Sequence, residues 1–202
     1  MALAPGLDRA RALAAHDPRL APAGDLALAR ALLERYTPRD AAQAAEREAL
    51  LAFVDAHPAD AHRRELAVGH LTASALVVDA AGERALLTLH AKLGRWLQLG
   101  GHCDGDANLA GVALREALEE SGVEGLAIDP QPIDLDVHAI PARPGEPEHL
   151  HLDTRFVVWA PAGARERISR ESRALGWFSP AELATIDTDA SVRRLFERVF
   201  AP

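Results

Sequence analysis

The spacing of apolar residues along this chain changes near residue 65. Before that point they recur at helical intervals. Leu26, Ala29, Leu32, Leu33 and Tyr36 follow a period near 3.6 behind Asp25, a capping residue. Ala42, Ala45, Ala49, Leu50, Phe53 and Val54 repeat the pattern. Ahead of them Thr37, Pro38 and Asp40 read as a hydroxyl cap, a first-turn proline and an acid three residues on, and the run stops at His57-Pro58. A shorter helix is expected over residues 7–15, with a loop over 17–24. Beyond residue 65 the pattern is extended. Residues 71–78 and 85–89, joined by the turn Asp79-Ala80-Ala81-Gly82, predict a hairpin. A third strand is expected over 96–99, ending in Gly100-Gly101. A helix from about Asn108 to Ser121 follows, closed by Gly122. Further strands are expected over 133–140, 150–159 and 175–178, then a short helix opened by Ser179-Pro180 and an amphipathic helix over 191–200. Strands interrupted by helices without regular alternation predict an α/β domain of the α+β kind with a mixed sheet. The expected organisation is an N-terminal helical extension, residues 1–64, and a second unit over 65–202.

Composition narrows the partners. The chain has 202 residues, 49% hydrophobic and 26% charged, which excludes a disordered or fibrous protein. Thirty carboxylates against 22 cations leave a formal charge of -8. That balance argues against a nucleic acid duplex, whose affinity rests on Lys and Arg meeting phosphates, and against an anionic membrane. The one cysteine, Cys103, excludes an intrachain disulfide, and the expected location is cytoplasmic. No stretch approaches the length of a membrane span, and Asp8, Arg9 and Arg11 interrupt the apolar start where a secretory signal would be uncharged.

The chemistry concentrates after the double glycine. Glu116, Glu119 and Glu120 stand at i, i+3 and i+4, on one face of the expected helix. Like charges so placed repel by a few tenths of a kcal/mol per pair, and near a helix C-terminus the macrodipole disfavours them further. A solvated acidic face is the ordinary explanation of such a triplet. Converging carboxylates are also what a hard divalent cation requires, and Gly100-Gly101 directly upstream leaves backbone carbonyls open to a ligand. Arg115, four residues before Glu119, can hold that carboxylate. Leu114, Ala117 and Leu118 face the other way, toward a sheet.

The run Gly101-x5-Ala107-x7-Arg115-Glu116-Ala117-x-Glu119-Glu120-x-Gly122-Val123 resembles the Nudix box of the Nudix hydrolases. The long fixed spacing makes the match specific. One position departs: Ala107 stands where the family has its first glutamate, which supports the loop and the neighbouring arginine. The departure endangers loop order more than metal binding, and Asp104 or Asp106 could compensate. The resemblance implies an α/β/α sandwich around a mixed sheet. It also implies Mg²⁺ or Mn²⁺ held by Glu116, Glu119, Glu120 and the Gly100 carbonyl, with Arg115 orienting a glutamate. The implied reaction is cleavage of a diphosphate linkage in a small nucleoside-diphosphate-linked molecule. A further glutamate in the loop before a late strand is expected as base or extra ligand; Glu171 is the candidate and Glu166 the reserve. A non-catalytic nucleotide-binding or regulatory domain is the alternative, and a homodimer is a further expectation.

Other residues are candidates for the substrate pocket. His149, His151 and Asp153 alternate on one expected strand and share a face, which with Arg155 could meet phosphate. Two histidines and an acid also suggest zinc, but the local spacing offers no fourth ligand. His102 and Arg95, flanking the glycine turn, are candidates for phosphate contact. Trp96 reads as core, and the run over residues 165–173 as a mixed-charge loop. Cys103 has no sequence arrangement that would make it a nucleophile and reads as structural.

Overall fold

A computed structural model of the chain describes residues 2–168 and 172–201. The elements run β1 (Ala2–Leu3), β2 (Leu13–Ala14), α1 (Ala27–Arg35), α2 (Ala41–Ala56), β3 (Gly69–Val78), β4 (Ala85–His90), β5 (Trp96–Leu97), β6 (Leu99–His102) and α3 (Leu109–Ser121). They continue as β7 (Ala127–Ile128), β8 (Asp134–Ile140), β9 (His149–Trp159), β10 (Ser172–Phe178), α4 (Pro180–Leu183), α5 (Ala190–Val199) and β11 (Phe200–Ala201).

The main sheet is mixed. Its spine is β3, buried along its whole length and paired in parallel with β9 from Gly69↔Leu150 to Val78↔Trp159. β3 is antiparallel to β4 at Val77 and Val78 and to β6 from Thr72 to Ala75, so two different strands share one of its edges. β8 and β7 pair with successive parts of β9, β10 and β5 with β4, and β2 with β7.

Alternation along β3 and β9 splits the core in two. Ala73, Ala75, Val77, Phe156 and Val158 join α3 and the N-terminal residues Leu13, Leu20, Leu33 and Leu50 in one cluster. Leu76, Val78, Val157 and Trp159 meet Val192, Leu195, Phe196 and Val199 of α5 in the other. Fully burying each large side chain contributes about 1.5–3 kcal/mol. The result is helix, sheet, helix, the layering expected from the sequence.

Three expectations needed correction. Residues 7–15 are not a helix: they hold a single 3-10 turn, Arg9–Arg11, and then β2, which joins the main sheet through β7. Their apolar side chains serve two separate core clusters, Leu13 in one and Leu7 and Ala12 in the other, instead of one helical stripe. The cap of α2 is Asp40, which accepts from the Gln43 N–H at 2.8 Å, and not Thr37. The third strand is interrupted at Gln98, so Trp96 and Leu97 pair with β4 while the glycines pair with β3. Among the described residues no helix is long and apolar enough to cross a membrane.

Candidate active site

The acidic helix forms as expected. Asn108 caps α3 by accepting from the Gly111 N–H, and Gly122 closes it in the left-handed region at φ 61°. Ala110, Ala113, Leu114 and Ala117 bury the helix against the first core cluster. Its C-terminal half lies beside β6.

There the glutamates meet the double glycine. The Gly100 N–H donates to Glu120 Oε2 at 3.0 Å, and Glu120 is buried. The Glu116 carboxylate occupies the space that a side chain at Gly101 would fill: a Cβ built there lies 2.7 Å from Glu116 Cδ. A Cβ at Gly100 would lie 2.6 Å from Ser74 Cα. Both positions exclude a side chain for steric reasons, one to admit a carboxylate and one to bring β6 against β3. Glu119 stays exposed on the same helix.

Arg115 Nη2 donates to Glu116 Oε1 at 2.9 Å and to the His102 carbonyl at 3.1 Å. It therefore holds Glu116 and not Glu119, the partner that the i, i+4 spacing suggested. The carbonyl at the end of β6 draws the guanidinium toward the strand, where Glu116 already lies. Glu116, Glu119, Glu120 and the Gly100 carbonyl are all hard oxygen donors, and the cradle at Gly101 brings the first carboxylate onto the strand. Oxygen donors of this kind suit a hard divalent cation.

The loop between strand and helix is secured without the missing glutamate. Ala107 is fully buried. Asp106 accepts from the Ala23 N–H at 3.0 Å and the Asn108 N–H at 2.9 Å. Asn108 Nδ2 donates to the Arg19 and Ala21 carbonyls, and the Gly105 N–H to the His62 carbonyl. Asp104 forms an ion pair with Arg64, whose hydrogen bond, helped by its charge, holds the carboxyl below the usual carboxylate range. Residues 19–24 and 62–64 thus clamp the loop from outside. Arg64 is a cation beside the site that the sequence did not single out; the electrostatic pull of Glu116 reaches it.

The other candidates scatter. Arg155 is 1% exposed, and its guanidinium is engaged by Asp153, Asp136 and Asp134, so the phosphate contact expected of it is replaced by a buried charge network. Further along, the same sheet face is apolar, with Leu76, Val78 and Val157; at this end three carboxylates face inward and are neutralised by the guanidinium. Arg95 reaches Asp187 at 3.5 Å, beside β5. Glu166 accepts from the Trp177 indole N–H at 2.9 Å. Glu171 lies outside the described residues. Cys103 is 1% exposed, and burial pushes its thiol well above the usual range, as expected of a structural cysteine.

His102, His149 and His151 do share a face, and His70 and His138 join them. Burial, reinforced by His102, His149 and Arg64 and opposed by the Leu66 carbonyl, pushes His70 down to about 4. Burial and the neighbouring His70, His102, His138 and His149 push His151 down to about 2. Both rings are thus neutral when folded but take up a proton near pH 6.5 when unfolded. The unfolded chain binds more protons below that pH, so stability falls on acidification. In metal-free buffer the urea midpoint is expected to drop from pH 6.5 to pH 5, above the range where protonation of the lowered aspartates adds its own loss. A midpoint flat across that window would contradict the neutral buried rings.

Comparison with known proteins agrees with the architecture. A NUDIX-family hydrolase from Clostridium perfringens is 21% identical, with a TM-score of 0.50, over 63% of this chain and 93% of that one. The Ap4A hydrolase of C. elegans, in a binary complex, is 18% identical with a TM-score of 0.52, over 63% of this chain and 93% of that one. At these identities the likeness shows the fold. No curated protein matches the chain. A model of the NUDIX domain matches residues 69–199, a stretch that runs from β3 to the end of α5 and contains the whole glycine-to-glutamate motif. The chain belongs to the NUDIX domain family, the Nudix hydrolases.

Proposed function

We propose that this chain cleaves a diphosphate linkage in a small nucleoside-diphosphate-linked substrate, with Mg²⁺ or Mn²⁺ held by Glu116, Glu119, Glu120 and the Gly100 carbonyl. The observation that carries this reading is the convergence of two carboxylates on one glycine pair: Glu120 bound to the Gly100 N–H, and Glu116 in the space beside Gly101. A repulsive arrangement of this kind is costly for stability alone and useful for gripping a cation.

When bound, a hard divalent cation neutralises charge on the diphosphate and activates water for attack at phosphorus. The chain's own residues prepare that event. Arg115 fixes the rotamer of Glu116 and ties it to the end of β6. The Gly100 N–H fixes Glu120. Glu119 is exposed and would offer its carboxylate to a bound cation. Arg64 is exposed enough to exchange Asp104 for a phosphate oxygen. His102, His149 and His151 stand on the opposite face of the sheet, one residue past the double glycine, as candidates for the rest of the substrate. Glu171 remains our candidate for the base. In the net reaction the water oxygen bonds to phosphorus, the bridging P–O bond breaks, and the departing phosphate keeps the bridging oxygen.

The test is a panel of nucleoside triphosphates, nucleotide sugars and dinucleoside polyphosphates with Mg²⁺ or Mn²⁺, products identified by mass spectrometry. Cleavage at a diphosphate linkage, abolished by chelation, is expected. Failure to turn over any of them would sink the proposal, and metal-dependent binding without turnover would favour a regulatory domain.

A further inference from the structure

Four strands deliver five histidines to one end of the sheet, on the face away from α3. His70 of β3 is in register with His151 of β9, which is in register with His138 of β8. His102 of β6 stands opposite Thr72, one pleat from His70 on the same face, and His149 lies two residues before His151. The ring centroids of His70 lie 4.9 Å from His102, 5.0 Å from His149 and 4.8 Å from His151.

Buried polar atoms normally find hydrogen-bond partners, and leaving one unpaired costs about 1–3 kcal/mol. Here His70 is 2% exposed, and neither ring nitrogen meets a partner at hydrogen-bond geometry, the nearby Leu66 carbonyl included; His151 Nε2 and His149 Nε2 are likewise buried without one. Ligand nitrogens of His70, His102 and His151 all lie within 4.8 Å of one another. Around a zinc ion, Zn–N bonds of about 2.0–2.1 Å place ligand nitrogens roughly 3.3 Å apart, a contraction that ring rotation supplies.

The surrounding contacts set the tautomers. His149 Nδ1 lies 2.9 Å from the Pro147 carbonyl, which only accepts, so Nδ1 carries the proton; in the neutral ring Nε2 then holds the lone pair, with Glu146 Oε1 3.7 Å away. His138 Nδ1 is held in the same way by Asp136 Oδ2 at 2.8 Å. Such outer hydrogen bonds are the usual support of metal-binding imidazoles.

We propose that His70, His102 and His151 form a second metal site, for Zn²⁺ or a similar imidazole-preferring divalent ion, with His149 Nε2 as the nearest further donor. It is chemically distinct from the glutamate site. Neutral nitrogen ligands suit late first-row metals, whereas the all-oxygen set on α3 suits Mg²⁺. The ion would tie β3, β6 and β9 together one residue beyond the double glycine.

The experiment is equilibrium dialysis of the chelator-stripped full chain against Zn²⁺ alone, with Co²⁺ absorption as a second readout. One equivalent of tightly held Zn²⁺ is expected, with the visible bands of nitrogen-ligated tetrahedral Co²⁺. The double variant Glu116→Gln/Glu120→Gln is expected to keep both signals. His70→Phe and His102→Ala are each expected to lose them, with folding checked by circular dichroism. His102 is the less buried of the two, so its variant decides the matter if His70→Phe fails to fold. Absence of stoichiometric Zn²⁺ in the parent chain, retention in His102→Ala, or loss in the glutamine variant would each overturn the proposal.

Discussion

Replacing Glu120 with glutamine is expected to lower turnover by about 100-fold or more while leaving the fold intact. Glutamine keeps the size of the side chain, and its amide oxygen can still accept the Gly100 N–H that Glu120 accepts at 3.0 Å. The strand-to-helix contact is therefore preserved. What disappears is the negative charge. A bound cation supplies several kcal/mol of transition-state stabilisation, and a 100-fold loss corresponds to about 2.7 kcal/mol of it. The measurement is kcat/KM on whichever diphosphate the panel returns, alongside the thermal midpoint. Unchanged turnover would remove Glu120 from the metal set. A collapse of the midpoint would show that its charge matters to folding instead.

Arg155→Leu is expected to cost about 3–5 kcal/mol of stability, the penalty for leaving buried charges without their partner. Arg155 Nε meets Asp153 at 2.8 Å, Nη2 meets Asp136 at 2.9 Å and Nη1 approaches Asp134 at 3.5 Å. Asp134 is fully buried and is also held by Arg194 and Arg198; Asp136 is also held by Arg194 and His138. Those partners remain after the substitution. Asp153 keeps only the Thr72 and Ser74 hydroxyls. Since Ser74 pairs with Gly100, disorder at Asp153 would reach the glutamate site through β3. Urea unfolding at neutral pH checks the figure, and a change under about 1 kcal/mol would show that the network is already balanced without Arg155.

Much of this molecule is legible from spacing. The helix from Asn108 to Gly122, the strands β3, β4, β8 and β9, and the glycine-to-glutamate motif depend on residues close together in the chain, where capping, period and turn chemistry act directly. The short N-terminal strand β2 was not legible, because its partner lies more than 100 residues away and its apolar side chains are divided between two core clusters. Arg155 was misplaced for a related reason. Its strand and face were read correctly, but Asp134 and Asp136, the carboxylates that neutralise it, arrive on another strand.

The sequence by itself determined the acidic helix, the glycine pair that receives it, and hence the family. These are local: a carboxylate triplet one turn long can be recognised without knowing what packs beside it. Only the tertiary structure decided what stabilises the loop at Ala107, which cation Arg155 is, and why two histidines on β9 are not alone. His70 and His102 reach His151 through strand register, and register depends on pairing between distant segments that no local period encodes.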